Sequence, residues 1–242
     1  MGLFDFFSKD SGGKAVEKWG KRLMNKYQQT AERKHAIESL AKIGTEEAVV
    51  ALLKRYQYRT EQSIADEDEK QHVYAVVVEL GQKSVPGIKQ YIDTETGLYW
   101  PIKALRAIVG DYEAATAVLE ALAGVKDSFG QNRERRQQLV DNMRALVSDD
   151  RVFTKLLEMI RDEDEELVVR VIDGLSAREG SAEHVSSLAS LAADATTAVR
   201  LRMMILETAV DKGWNVGEHA AAMAGLMPPQ YVLTADGNVA RR

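Results

Sequence analysis

The 242-residue chain contains no cysteine and no long uninterrupted apolar run. Without cysteine, a disulfide framework, a thiolate zinc site and a cysteine nucleophile are all excluded. A membrane-spanning helix needs about 18 consecutive apolar residues, and no run in this sequence approaches that length. The N-terminus also lacks the apolar region and cleavage site of a secretory signal peptide. We therefore expect a soluble cytoplasmic protein.

Motifs for catalysis and cofactor binding are absent as well. No two of the four histidines, His35, His72, His184 and His219, have the spacing of metal ligands, and none belongs to an HExxH pairing. The sequence has no glycine-rich phosphate loop, nucleophile elbow or dinucleotide fingerprint. We therefore expect a non-enzymatic protein with no catalytic residues, no metal and no cofactor.

The charges are unevenly distributed along the chain, whose net charge is -5. Residues 1–60 carry 12 Lys and Arg against 7 Asp and Glu, a net of +5, so the remainder has a net charge of -10. An acidic chain does not suit a general nucleic-acid-binding protein, and nucleic acid is not an expected partner. The basic N-terminal part is suited to attract an acidic protein or an anionic membrane surface.

An internal repeat is the strongest pattern in the sequence. Three segments with helical apolar spacing each end in a glycine: 33–44, 72–81 and 101–110. A second apolar stretch follows each of them, at 48–53, 85–88 and 114–122. Glycine adopts the left-handed conformation that commonly ends a helix, so each unit predicts a helix, a glycine turn and a second helix.

The same pattern continues at 139–147 and 152–160, at 167–175 and 185–191, and at 199–210 with a short last segment. This body of the chain has no strand signals. The pattern resembles HEAT repeats, in particular the short bacterial HEAT-like kind, over roughly residues 30–220. The resemblance implies an all-α fold, a right-handed α-α superhelix of about five to six helical pairs with a concave binding face.

These features predict three regions. They are a hydrophobic N-terminal segment with a glycine linker (1–13), a repeat domain (14–227) and a short non-helical tail (228–242). Residues 14–29 are predicted to form a capping helix with Trp19, Leu23 and Tyr27 on its apolar face and basic residues on the other. The tail is predicted to form either a small hairpin or an extended segment with one tight turn.

Two acidic runs, Asp66–Glu69 and Asp162–Glu166, precede predicted repeat helices. Both lack the interior glycine and the twelfth-position carboxylate of a calcium-binding loop. We interpret both runs as helix-capping carboxylates that interact with free amides and the positive end of the helix dipole.

Tyrosine, tryptophan and basic residues are concentrated in the early repeats. Aromatic and arginine side chains are enriched at interaction hot spots, and they are also used for packing between repeats. The residues that we expect to contact a protein partner on the concave face are Tyr56, Tyr58, Arg59, Tyr91 and Trp100.

The first seven residues hold a second candidate surface, formed by Leu3, Phe4, Phe6 and Phe7. Such a cluster has three interpretations: it packs on the first repeat, inserts into an anionic membrane surface beside the basic helix, or docks on a partner.

HEAT-like arrays serve as scaffolds, adaptors, lyase subunits and, rarely, DNA glycosylases, so the resemblance alone does not assign a function. The absence of catalytic motifs favours a protein-protein interaction scaffold or adaptor. The alternatives are a HEAT-like enzyme or lyase subunit and an adaptor associated with a membrane surface.

Overall fold

The computed structural model describes residues 3–61, 63–127, 129–178 and 182–242, with the side chains of 3–11 and 182–183 outside the description. The fold is all-α apart from one short hairpin, which confirms the predicted class. The chain divides into two compact units, Met1–Leu139 and Val140–Arg242. Among the described residues, no helix combines the length and apolar character needed to cross a membrane.

The first unit is built from successive helices, the last of which continues into the second unit. They are α1 (Leu3–Met24), α2 (Thr30–Ile43), α3 (Glu46–Leu53), α4 (Ser63–Leu80), α5 (Val85–Thr94), α6 (Tyr99–Val109), α7 (Asp111–Ala123) and α8 (Gly130–Met143), with 3₁₀ turns at Lys54–Gln57 and Gly81–Ser84. The first helices of successive pairs, α2, α4 and α6, pack in series, and so do α3, α5 and α7. Within each series, the apolar faces of successive helices are therefore buried against one another.

The second unit continues with a 3₁₀ turn and shorter elements. They are the turn Arg144–Leu146, α9 (Asp150–Glu158), α10 (Glu165–Ser176), α11 (Ala182–Ala192), α12 (Val199–Lys212), α13 (Ala220–Ala224), β1 (Tyr231–Leu233) and β2 (Val239–Arg241), with a 3₁₀ turn at Gly217–His219. Helix α10 packs against α9, α11 and α12. Its central position explains why Val171, Ile172 and Leu175 are fully buried.

The three glycines that punctuate the early repeats end helices, as predicted. Gly44 follows α2 with a φ of 62°, Gly81 follows α4 with 59°, and Gly110 follows α6 with 82°. The amide of Gly44 donates to the Leu40 carbonyl at 3.0 Å, and that of Gly110 to the Arg106 carbonyl at 2.9 Å. A side chain strains the backbone at such φ values, so glycine is the residue that fits these turns.

Helix α1 differs from the prediction at both ends. Gly12 and Gly13 lie within the helix, so the predicted glycine linker is wrong. Glycine has a low helix propensity, but residues on both sides of Gly12 and Gly13 are helical, and extending an existing helix is easier than starting one. The helix ends at Met24, so Tyr27 does not continue the apolar face and is 85% exposed, whereas Leu23 is fully buried.

Two alternatives were predicted for the C-terminal residues, a hairpin and an extended segment, and the structure has the hairpin. Tyr231 pairs with Arg241 and Leu233 with Val239 in an antiparallel register, and Gly237 turns the chain with a φ of 81°. Tyr231 is buried, and its hydroxyl donates a hydrogen bond to Glu207 of α12. The strands are therefore attached to the helical core of the second unit.

Candidate functional site

A network of buried charges occupies the interior of the first unit. The 3₁₀ turn after α3 directs Arg55 inward, and α4 presents Asp66, Glu69 and Lys70 on one face, because residues three and four apart are neighbours on a helix. Arg33 of α2 completes the set, which we call the buried ion network. All five residues are less than 9% exposed, although each is formally charged at neutral pH.

The two carboxylates bridge the three cations. Arg33 Nε donates to both oxygens of Glu69, at 3.1 and 2.9 Å, and Arg55 Nε donates to the same carboxylate. Arg55 Nη2 donates to Asp66 Oδ1 at 2.7 Å, and Lys70 Nζ donates to Asp66 Oδ2 at 2.6 Å. With three cations and two carboxylates, the network has a formal net charge of +1.

The surroundings of Asp66 keep its carboxylate ionised. Burial by itself raises the pKa of Asp66. Hydrogen bonds from Lys70, Arg55 and the Thr60 amide outweigh this effect and lower the pKa to about 2. Tyr58 lies against the Arg55 guanidinium, 4.3 Å from the ring centre, and its hydroxyl donates to the Leu23 carbonyl at 2.5 Å. Burial raises the pKa of this hydroxyl to about 12.

The first acidic run therefore does not cap a helix, and that prediction is wrong. Asp66 and Glu69 lie inside α4 and are buried against arginines, because their spacing places both on the core-facing side of the helix. The second run behaves as predicted. Asp164 is the N-cap of α10, where its carboxylate accepts a hydrogen bond from the Glu166 amide at 3.1 Å.

A pocket of about 350 Å³ opens beside the buried ion network, and we call it the cationic pocket. It lies between the connection from α1 to α2 and the connection that precedes α4. The residues that line it are Lys26, Tyr27, Gln28, Gln29, Thr30, Arg33, Arg59, Thr60 and Glu61. Its charged lining residues are three cations and one carboxylate, which gives the pocket an excess of positive charge.

Several groups in the cationic pocket are available to an anion. Within the described part of the chain, Lys26 and Arg59 make no ion pair, and both are exposed. The buried Thr60 Oγ1 has no hydrogen-bond partner among the described residues. Helix α2 also begins here, and its N-cap Gln29 makes no side-chain hydrogen bond to the first-turn amides. Such amides and the positive end of the helix favour anions.

Two of the predicted partner-binding residues belong to the core. Tyr91 is fully buried and donates its hydroxyl to the Thr96 carbonyl at 2.6 Å. Tyr56 is 8% exposed and donates to the Lys70 carbonyl at 3.1 Å. Burial raises the pKa of both hydroxyls. The predicted surface role of these residues is wrong, because each lies on the face of its element that packs against neighbouring helices.

The other three predicted residues do not form one surface with them. Tyr58 is partly buried against Arg55, and Trp100 is partly buried against Tyr56. Only Arg59 is exposed, and it lines the cationic pocket. Leu3, Phe4, Phe6 and Phe7 fall in α1, and their side chains lie outside the described residues.

Sequence reasoning missed the rest of the cationic pocket. Lys26 was assigned only to the basic face of a capping helix, and Thr30, Arg33 and Thr60 were not singled out. One signal was present: Arg33 and Arg55 are charged residues beside the apolar positions of predicted helices. Charges at such positions indicate burial with a partner, and the acidic run at 66–69 supplies that partner.

A second pocket, of about 470 Å³, lies within the second unit beside Ser186 and His219. Ser186 Oγ is 3.1 Å from His219 Nε2, and the Glu218 carboxylate is 3.5 Å from the same nitrogen. A catalytic serine-histidine pair needs its carboxylate on the other ring nitrogen, where it orients the base. This arrangement therefore does not reproduce a hydrolytic triad.

Comparison with protein-family models, with curated proteins and with solved structures finds no match for this chain. Function is therefore inferred from the geometry and charge of the sites themselves. Among the described pockets, the cationic pocket has the clearest chemistry, since its lining carries an excess of positive charge and cations favour anionic groups.

Proposed function

We propose that the protein is a non-enzymatic, HEAT-like interaction adaptor that binds an acidic segment of a partner protein in the cationic pocket. The observation that carries the proposal is that one pocket holds Lys26, Arg59 and the Thr60 hydroxyl. Among the described residues, neither cation has a carboxylate partner and the hydroxyl has no hydrogen-bond partner, while Lys26 lies 5.0 Å from the ring centre of Tyr27. The proposal keeps the expected protein partner and cytoplasmic location, and it replaces the tyrosine-based contact surface with a charged one.

The chemistry of the pocket favours a carboxylate-bearing segment of a partner. A carboxylate in the pocket would accept hydrogen bonds from Lys26 and Arg59, and charge-assisted hydrogen bonds of this kind are stronger than neutral ones. The Thr60 hydroxyl, which is buried in the free protein, would join them once its side chain rotates toward the pocket. Tyr27 lies at the rim with 85% of its surface exposed, so it offers apolar contact area to the neighbouring residues of the segment. A pocket of about 350 Å³ accommodates one or two side chains.

The proposal is tested with the full chain and a fluorescent peptide rich in Asp and Glu, using a Gln and Asn peptide of the same length for comparison. Fluorescence anisotropy should detect binding of the acidic peptide only, with an affinity that falls as salt is added. Arg59→Ala and Lys26→Ala should each weaken binding about tenfold, since a charged hydrogen bond contributes about 1.5 kcal/mol. Lys83→Ala, which removes an exposed lysine elsewhere in the unit, is the matched control.

A third variant, Thr60→Val, tests the contribution of the Thr60 hydroxyl to peptide binding. Valine keeps the branched shape and the amide that donates to Asp66, and it removes only the buried hydroxyl. We expect weaker peptide binding with an unchanged or higher melting temperature, because the lost hydroxyl has no partner among the residues that the structure describes. Binding that is unchanged in all three pocket variants would refute the proposal. Binding to anionic vesicles in place of the peptide would also refute it and would favour the membrane-associated alternative.

A further inference from the structure

A different binding chemistry appears elsewhere on the first unit, where three aromatic rings surround the side-chain ammonium of Lys103. Lys103 Nζ lies 4.5 Å from the ring centre of Trp100, 5.2 Å from that of Tyr74 and 5.7 Å from that of Tyr99. All three distances fall within the range of about 6 Å over which a ring face attracts a cation. We call Tyr74, Tyr99 and Trp100 the aromatic cage.

The cage is held in place from behind by packing. Trp100 stacks on the buried Tyr56 at 6.0 Å with an interplanar angle of 12°. The rings of Tyr74 and Tyr99 lie 5.6 and 5.4 Å from Trp100 at steep angles, so the three faces point in different directions. Because Trp100, the ring nearest the ammonium, is held by this stacking before any ligand arrives, less conformational entropy is lost on binding.

The cage is also accessible from solvent. Tyr99 is 60% exposed and Lys103 is exposed, while Tyr74 and Trp100 are partly buried. Within the described part of the chain, Lys103 has no carboxylate partner, and the rings alone hold its ammonium. An exposed lysine keeps most of its hydration, so its hold on the rings is weak and a better-suited cation can displace it.

We propose that the aromatic cage is a binding site for methylated ammonium groups, and that Lys103 occupies it in the absence of ligand. A trimethylammonium group is a cation with an apolar surface, and it is less strongly hydrated than the lysine ammonium that it displaces. Two sources share this chemistry, the side chain of trimethylated lysine in a peptide and free choline. This site is independent of the cationic pocket, since the two select for groups of opposite charge.

The direct test is a titration of the full chain with tetramethylammonium, with 3,3-dimethylbutan-1-ol as a neutral ligand of similar shape. Binding is followed by calorimetry and by the NMR shift of the Trp100 indole. We expect tetramethylammonium to bind and the neutral alcohol not to bind, because the rings attract charge. Equal binding of both ligands, or no shift of Trp100 with either, would overturn the proposal.

Variants of the cage and of its occupant separate recognition from folding. Lys103→Met keeps the apolar stem and removes the internal competitor, so it should bind tetramethylammonium about tenfold more tightly. Tyr99→Leu should weaken binding about tenfold through the loss of one ring face. The matched control is Tyr112→Leu, since Tyr112 is also a mostly exposed tyrosine, at 66%, and lies outside the cage.

The affinity of Lys103→Met for tetramethylammonium provides a check on the structural alternative, in which the rings only pack around Lys103. In that case Lys103→Met would bind no better than the original chain, and the proposal would fail. The last titrations compare the affinities of three ligands: a trimethyllysine peptide, its unmethylated form and choline. A trimethyllysine peptide that binds more tightly than choline identifies the methylated side chain as the source, while equal affinities identify the free small cation. Equal binding of the unmethylated peptide would contradict the selectivity for methylated ammonium.

Discussion

Arg55 has no exposed surface and Glu69 is 5% exposed, although each carries a full charge. Moving charged groups from water into a protein interior costs several kcal/mol each, and only close pairing offsets this penalty. Here Glu69 contacts two guanidinium groups at once, from Arg33 and Arg55. Loss of a single carboxylate therefore leaves buried cations without sufficient compensation.

Glu69→Gln is therefore expected to lower the free energy of unfolding by about 3–5 kcal/mol, the usual range when one partner of a buried pair is removed. Glu67→Gln, two positions away in the same acidic run, alters an exposed side chain and should change the free energy by less than about 0.5 kcal/mol. Urea denaturation of both variants measures the difference. Similar losses in the two would show that Glu69 is not buried as the structure has it.

The partners of this network could not be predicted from local sequence. Glu69 lies 36 residues from Arg33 and 14 from Arg55, so each contact depends on how helices pack rather than on helical spacing. The same limit applies to Tyr56 and Tyr91, which have the composition of an interaction surface but are buried. The N-cap at Asp164 was predictable, because capping involves only the neighbouring amides.

At the level of helices, the pattern of apolar segments and glycines was enough to predict the all-α class and the positions of the early helices. Apolar residues at helical spacing identify a helix, and a glycine with positive φ ends it, so both signals are local. The course of α1 was not predictable in the same way. Two consecutive glycines usually indicate a break, but here the helix continues through them.

Gly87 shows a constraint on helix packing that the sequence does not display. A Cβ atom at this position of α5 would lie 2.8 Å from the Glu46 carbonyl oxygen and 2.8 Å from Val49 Cβ, both in α3. Such distances are shorter than any ordinary contact. Glycine at position 87 therefore allows α3 and α5 to approach closely, and this contact is part of the series that joins successive pairs.

We predict opposite effects for alanine at two helical glycines. Gly87→Ala should destabilise the protein by about 1–3 kcal/mol, because the added methyl group overpacks the contact with α3. Gly13→Ala should stabilise it by about 0.5–1 kcal/mol, because no atom lies within 4 Å of the added Cβ and alanine favours the helix. Thermal melts followed by circular dichroism measure both effects. A loss of stability in Gly13→Ala would contradict a continuous α1.

At the scale of the whole molecule, the two units carry different charges. Met1–Leu139 contains 21 basic and 20 acidic residues, a net of +1, while Val140–Arg242 contains 11 and 17, a net of -6. The first unit holds both proposed ligand sites, and its basic residues are concentrated before residue 60. Attraction of an acidic peptide should therefore depend on this first part of the chain, although the molecule as a whole is acidic.

The second unit contains a group that makes stability depend on pH near neutrality. His184 is 2% exposed and lies 6.1 Å from the ring of Phe153 and 5.3 Å from that of Trp214. Neither of its ring nitrogens has a hydrogen-bond partner among the described residues. Burial, with smaller effects from Lys212 and Arg178, lowers the pKa of His184 below its ordinary value of 6.5.

The direction of the pH effect follows from this lowered pKa. Above pH 6.5, His184 is neutral in both the folded and the unfolded chain, and its contribution to stability is constant. Below pH 6.5, the unfolded chain binds a proton that the folded chain excludes, so the free energy of unfolding falls as the pH decreases. A second decrease is expected in acid, between the ordinary pKa of Asp66, 3.8, and its folded value of about 2.

His184→Phe separates the two pH ranges, because phenylalanine fills a similar volume between Phe153 and Trp214 and binds no proton. Urea denaturation at a series of pH values should show that the original chain loses more stability from about pH 7 to pH 5 than the variant does. Both chains should lose stability below about pH 4, because Asp66 and the other paired carboxylates are unchanged. An equal slope between pH 7 and 5 in both chains would mean that His184 is protonated in the folded state, which requires an acceptor or water at its ring nitrogens.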